Sequence, residues 1–125
     1  MAESIDKTLA DRGAKYGSFD SHAHITQSLK RVFMEDPQKW HKLSDDKKEA
    51  LEMVAHKIGR ILNGDPEYID SWHDIIGYTR LVETKLIEVE NDARRESERT
   101  AQAPAERTPR VLAHARTKRT RKSRA

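Results

Sequence analysis

The sequence contains no cysteine among its 125 residues, which excludes disulfides and thiolate metal sites. Hydrophobic residues make up only 35% of the chain and aromatic residues 6%, whereas 36% of the residues are charged. We therefore expect a thin core, or one that a partner subunit completes. No apolar run is long enough to span a membrane, and the start of the chain, MAESIDKTLADRG, shows no signal-peptide pattern. These absences predict a single cytoplasmic domain without membrane contact.

Several nucleotide-binding and catalytic motifs are also missing. The phosphate-binding loops GxxxxGK[ST] and GxGxxG do not occur, and no Ser/His/Asp nucleophile set is suggested. No segment alternates apolar and polar residues as a strand would, and there are no internal repeats. Helices are therefore the expected regular structure.

Apolar residues recur at helical spacing in four segments that are separated by clear breaks. The predicted helices cover roughly residues 2–12, 21–33, 44–62 and 68 to the mid-90s. Gly13 and Gly17 interrupt the chain after the first helix, and the sequence NGDP at 63–66 forms the turn before the last one. We predict an all-α protein, a small antiparallel bundle of about four helices formed by residues 1–98.

The last two predicted helices carry the clearest apolar stripes. The face of the third holds Ala50, Leu51, Val54, Ala55, Ile58, Ile61 and Leu62. The predicted buried stripe of the fourth holds Ile69, Trp72, Ile75, Ile76, Val82, Leu86 and Ile87. We expect two tryptophans to be core residues: Trp72 on the fourth helix and Trp40 in the loop before the third. These stripes should supply most of the core.

The C-terminal segment 99–125 differs in composition from the rest of the chain. It has nine Arg or Lys residues and one acidic residue, Glu106, which gives the segment a charge of +8. Because the net charge of the whole chain is +3, residues 1–98 carry −5. It is predicted to be a disordered basic tail. It has no aromatic residue for base stacking, so we expect weak, salt-dependent contact with nucleic acid or another polyanion. The alternative is a solubilising tether.

Polar residues form a second stripe on each of the last two helices. At about 100° per residue, the third helix brings together Glu49, Glu52, His56, Arg60 and Asn63, with Lys57 at the flank. The fourth places Asp70 and Asp74 on one side with Tyr78 and Leu81. If the stripes face each other, their carboxylates repel and some of their pKa values rise. A divalent cation removes this conflict, and Mg²⁺ prefers carboxylate and phosphate oxygens. The alternative is that both stripes are exposed to water.

These stripes and the loop around YGSF give the predicted site residues. Glu49, Glu52, Asp70 and Asp74 are predicted to bind Mg²⁺ or Mn²⁺. Lys57, Arg60 and Arg80 are predicted to hold phosphates, and Tyr16, Phe19, His22 and Tyr78 to contact the substrate. Core packing is the alternative for Tyr16 and Phe19.

Two histidine motifs have alternative interpretations. In His22-Ala-His24 the side chains diverge on a helix, so contact of His22 with a base or phosphate is favoured over metal binding. His73-Asp74 resembles HD phosphohydrolases, which need a further upstream histidine, for which His56 is the candidate, and a distant aspartate in a longer domain.

The segments YGSF, HAHI and EALEMVAHKIGRILNGDPEYIDSWHDIIGY, within residues 12–82, resemble a family of small phage and prophage proteins of unknown function. That family is similar to MazG-like all-α nucleoside triphosphate pyrophosphohydrolases, which use ExxE and ExxD pairs, bind Mg²⁺ and release pyrophosphate. Glu49 and Glu52 match ExxE, whereas Asp70 and Asp74 depart from ExxD.

The resemblance implies a Mg²⁺-dependent nucleotide pyrophosphohydrolase, expected to be a homodimer in the host cell cytoplasm. In such an enzyme Glu52 or His56 would orient the attacking water. The departure from ExxD favours the alternative, a non-catalytic phage accessory protein that binds a host protein, a nucleotide or nucleic acid.

Overall fold

The computed structural model describes residues 4–105, and this range contains five α-helices and no strand. The helices are α1 (Ile5–Tyr16), α2 (Phe19–Phe33), α3 (Pro37–His41), α4 (Asp45–Asn63) and α5 (Ile69–Gln102). The predicted all-α class is confirmed, and the short α3 is added to the predicted helices. None of these helices is both long enough and apolar enough to cross a membrane.

Two helix ends differ from the prediction for simple reasons. Gly13 lies inside α1 rather than ending it, because a glycine within a helix costs only about 1 kcal/mol relative to alanine. The Ser18 side chain accepts a hydrogen bond from the Ser21 backbone N–H, so α2 begins at once after Ser18. In α3, the Asp36 carboxylate caps the first turn and Pro37 occupies the first position, where no N–H is needed.

α4 is the central helix, with α2 on one side and α5 on another. Two ion pairs hold α5 antiparallel to α4: Lys57 Nζ lies 2.7 Å from Asp74 Oδ2, and Lys85 Nζ lies 3.7 Å from Asp46 Oδ2. α2 is also antiparallel to α4, since His22 near its start lies against the C-terminal half of α4.

The apolar core of the described residues is small. Its buried apolar side chains are Trp40, Ala50 and Ala55, and no large side chain in residues 4–105 is fully buried. The Trp40 ring stacks on Phe33 with 5.6 Å between centroids, which confirms Trp40 as a core residue. The expectation of a thin core is met.

The predicted buried stripe of α5 is largely exposed in a single chain. Trp72 is 51% exposed, Ile76 61% and Ile69 74%, while Leu86 and Ile87 are each 50% exposed. Trp72 is therefore not a core residue of one chain. The prediction was wrong because the periodicity marks the apolar side of α5, whereas α4 covers only part of that side.

α5 continues well past the start of α4. Lys85 pairs with the second residue of α4, and residues 87–102 extend beyond it by about 24 Å at 1.5 Å per residue. The helix therefore includes Arg99 and the next three residues of the segment predicted as a tail. The prediction for 106–125 lies outside the described residues.

Candidate functional site

The linker between α1 and α2 is held against the C-terminal end of α4. Asn63 Nδ2 donates hydrogen bonds to the carbonyl oxygens of Tyr16, at 2.7 Å, and Ser18, at 2.8 Å. The Asp65 N–H donates to the Lys15 carbonyl oxygen at 3.0 Å. The two motifs YGSF and NGDP, which are distant in sequence, are therefore in direct contact.

Two glycines allow this close approach. Gly17 has φ +74°, in the left-handed region that favours glycine, and a Cβ there would lie 2.2 Å from the Asn63 carbonyl oxygen. A Cβ at Gly64 would lie 2.3 Å from the Lys15 carbonyl oxygen. Any side chain at either position would push the linker away from α4.

A cleft of about 560 Å³ opens beside this linker, between α1, α2 and α4. Its lining residues are Leu9, Arg12, Gly13, Tyr16, Gly17, Ser18, Phe19, His22, His56 and Arg60. An adjoining hollow of about 330 Å³ shares Arg12, Tyr16 and Arg60 and adds Thr8, Asp11 and Lys15. We call the two together the linker cleft. It gathers five residues predicted from the sequence as site residues: Tyr16, Phe19, His22, His56 and Arg60.

Two cations of the linker cleft lie against aromatic rings, one ring inside the cleft and one beside it. The Arg60 guanidinium carbon lies 4.2 Å from the centroid of the Tyr16 ring, and Lys15 Nζ lies 5.1 Å from that of Tyr68. Cation–π attraction of this kind holds the long Arg60 side chain in place. At the rim, the Phe19 side chain is 79% exposed. The cleft therefore presents fixed positive charge beside accessible aromatic surface.

Two histidines meet where α2 crosses α4. His22 Nε2 lies 3.3 Å from His56 Nδ1, and their rings are edge to face with centroids 4.6 Å apart. Thr26 Oγ1 lies 3.4 Å from the same His22 nitrogen. His22 is buried, and its Nδ1 has no hydrogen-bond partner among the described residues. Gly59 makes room, because a Cβ there would lie 3.0 Å from that atom.

The surroundings of both histidines favour the neutral ring. Burial, followed by the charge of Arg60 and then the neighbouring His22, lowers the pKa of His56 to about 4. Burial and then Arg60 also lower the pKa of His22, while the Gly59 backbone acts in the opposite direction. The positive charge of the linker cleft therefore comes from Arg12, Lys15 and Arg60, not from its histidines.

The predicted metal ligands on α5 are engaged with other groups, outside the lining of the linker cleft. Asp74 pairs with the buried Lys57 ammonium, whose hydrogen bond lowers the pKa of the Asp74 carboxyl. Asp70 accepts a 2.7 Å hydrogen bond from the Tyr68 hydroxyl, which raises the pKa of Tyr68 to about 12. A lysine thus supplies the neutralising charge for Asp74 that the sequence suggested a metal would provide.

Part of the polar stripe of α4 faces away from the aspartates of α5, so that interpretation is corrected for this part. Its members His56 and Asn63 contact α2 and the linker instead. Glu49 is exposed and Glu52 half-buried on α4. Within residues 4–105, no group of three or more His, Asp or Glu side chains is placed to hold a metal ion. Binding of Mg²⁺ or Mn²⁺ by the four carboxylates stays a prediction.

The remaining predicted residues lie apart from the linker cleft. Lys57 faces Asp74, Tyr78 is half-buried on α5, and Arg80 is exposed beside Ile76 and Glu83. Arg12 and Lys15 line the linker cleft but are not among the site residues predicted from the sequence. Their spacing of three, followed by Tyr16, would have placed them together on a helix, but ending that helix at Gly13 separated them.

No protein-family model matches the chain, and neither does any curated protein or solved structure. The geometry and charge of the linker cleft are therefore the basis for a functional proposal.

Proposed function

We propose that the linker cleft binds a small phosphorylated molecule, and that a nucleotide is the ligand class it suits best. The observation that carries this proposal is the grouping of Arg12, Lys15 and Arg60 around Tyr16. The acidic residue among them is Asp11, at the shallower end. A phosphate group satisfies such a cluster better than any neutral ligand.

The arginines match phosphate chemistry in geometry as well as charge. A guanidinium donates two parallel hydrogen bonds to phosphate oxygens, and such charge-assisted bonds are stronger than neutral ones. Arg60 is already oriented by the Tyr16 ring. The N-terminal turn of the 15-residue α2, at Ser18 and Phe19, also borders the cleft and contributes backbone N–H groups.

The aromatic rim suits a base. Phe19 exposes most of its ring beside the arginines, and a nucleobase stacks on such a face with little sequence preference. The volume of about 560 Å³ lies in the range of small-molecule sites. Binding without turnover agrees with the accessory-protein alternative, since the predicted metal ligands do not line the cleft.

The experiment is calorimetric titration of the full chain with nucleoside triphosphates, deoxynucleoside triphosphates, nucleosides, pyrophosphate and inorganic phosphate. Each titration is run with EDTA and again with Mg²⁺. Arg60→Met should weaken triphosphate binding about 10-fold or more, since a hydrogen bond to a charged group contributes about 1.5–3 kcal/mol. Arg31→Met, which removes an exposed arginine elsewhere on α2, should leave binding unchanged.

Two results would overturn the proposal: no binding of any phosphorylated ligand, or equal binding by wild type and Arg60→Met. Hydrolysis is examined in the same samples by pyrophosphate release with Mg²⁺ or Mn²⁺. Turnover that is lost in Glu49→Gln would support the pyrophosphohydrolase alternative. Glu49 is the cleaner position for this test, because Asp74 also neutralises the buried Lys57.

A further inference from the structure

α5 has an apolar surface wide enough for two helix neighbours. Thr79, Val82 and Leu86 line an apolar groove of about 380 Å³ together with Ala50, Leu51 and Val54 of α4 and Leu43. A second row, Ile69, Trp72 and Ile76, is spaced by three and four residues and is exposed.

The two rows together cover a wide arc of α5. Measured around the helix axis from Val82 to Ile69, this apolar arc spans about 140° at 100° per residue. One packing partner needs only about 100°.

α4 adds a matching row. Leu51, Ile58 and Leu62 follow one another at spacings of seven and four residues and so share a side of the helix. Leu51 is 40% exposed and Leu62 68% exposed. Because Leu51 also lines the groove with α5, the two rows lie on the same face of the α4–α5 hairpin. We call this the hairpin face: Leu51, Leu62, Ile69, Trp72, Ile76 and Leu86.

The described part of the chain does not cover the hairpin face. α4 is the one helix of residues 4–105 that packs extensively along α5. The residues outside this range supply only three large apolar side chains, Met1, Val111 and Leu112, amid many arginines and lysines. Such a segment is too polar to bury six large apolar residues.

We propose that the hairpin face packs against the same face of a second copy of this chain, so that two α4–α5 hairpins form a four-helix bundle. Helices in such bundles need apolar contact with two neighbours, which is what α5 offers. The matched part of the hairpin measures about 28 Å by 20 Å, from 1.5 Å per residue and a helix width of about 10 Å. That footprint is about 560 Å² per chain, so two copies together bury more than the roughly 1,000 Å² expected of a biological interface.

The thin core supports a second copy of the chain as the partner of the hairpin face. One chain buries only Trp40, Ala50 and Ala55 as apolar core residues within the described range, so pairing contributes much of the apolar burial that folding requires. A homodimer also provides the partner in every cell that makes the protein. The proposal is independent of the ligand of the linker cleft.

The test is light scattering coupled to size-exclusion chromatography on the full chain, with thermal melting over a dilution series. The wild type should have twice the mass of one chain, and its Tm should fall on dilution. Ile69→Ser should weaken dimerisation about 10-fold or more, because serine removes the apolar area that isoleucine buries in the interface. Leu81→Ser, at a 70% exposed position on another side of α5, should leave the dimer intact.

Ile69 is 74% exposed in one chain, so serine there does not disturb the monomer fold. A monomeric wild type with a Tm independent of concentration would overturn the proposal, whether or not the face then binds a foreign protein. A dimer that survives Ile69→Ser with unchanged affinity, or that is lost in Leu81→Ser, would overturn the assignment of the interface.

Discussion

The two sides of α4 make different kinds of contact. Toward α2 and the linker, the contacts are specific and polar: Asn63 bonds two carbonyl oxygens, His22 meets His56, and glycines allow close approach. Toward α5, the surfaces are apolar and open, with one ion pair near each end of the contact. The polar side defines one arrangement of the chain, whereas the apolar side provides surface that remains to be buried.

The polar contacts therefore determine which arrangement the chain adopts, whereas the apolar contacts determine how stable that arrangement is. The part-buried contacts of Asn63 with Tyr16 and of His22 with His56 need a defined geometry and are costly to leave unmade, so they exclude other arrangements of α1 and α2. Apolar contact is non-directional and scales with area. A single added or removed atom should therefore disrupt the contacts of α4 with α2 and the linker, which we call the linker side. The contacts of α4 with α5 should weaken when apolar area or one charge of an ion pair is lost.

The largest effect is expected from Gly17→Ala. Its Cβ meets the Asn63 carbonyl oxygen, and φ +74° is unfavourable for alanine, so we expect a loss of about 2–4 kcal/mol in the free energy of unfolding. Urea denaturation measures this change. Gly13→Ala is the matched control, because no atom lies within 4 Å of its added Cβ and the residue is inside a helix. It should stabilise by about 0.5–1 kcal/mol; equal effects at the two positions would contradict the account of the linker.

The next effect concerns the ion pair between α4 and α5. Asp74→Asn leaves the buried Lys57 ammonium without its partner, whereas Lys57→Met leaves a carboxylate whose side chain is 42% exposed and can hydrate. Asp74→Asn should therefore lower Tm more than Lys57→Met. The double variant should melt near Lys57→Met. The reverse order would show that Lys57 is not buried as described.

Per pH unit, the smallest expected effect is the pH dependence of the linker side. The pKa of His56 is about 4 in the folded protein and about 6.5 when unfolded. A lowered pKa means that the unfolded chain binds the proton more readily, so stability is complete above pH 6.5 and falls as pH decreases toward 4. The slope is at most about 1.4 kcal/mol per pH unit for each histidine. His56→Gln should flatten the Tm profile in this window, and an unchanged profile would contradict the lowered pKa.

The sequence predicted the helices well and their neighbours poorly. Apolar spacing located α4 and the start of α5, because periodicity is a local property. The partner of a stripe is a non-local property. A helical wheel placed Lys57 and Asp74 on adjoining helices but could not give the rotation of one helix relative to the other, so their pairing was missed.

The candidate site was partly predictable for the same reason. Tyr16, Phe19 and His22 were identified from a loop with unusual residue types, and they do line one cleft. The contact that builds that cleft joins Asn63 to Tyr16 across 47 positions. No local pattern reveals such a contact, although the glycines at its two ends are visible in the sequence.

The length of α5 limits what a single ligand can reach. The linker cleft lies near the start of this helix, beside Tyr68, and Gln102 lies at its other end. Its 34 residues rise about 51 Å. A nucleic acid duplex with a rise of 3.4 Å per base pair would need on the order of 15 base pairs to cover that distance. A mononucleotide in the cleft of one chain therefore does not contact the end of α5 in the same chain.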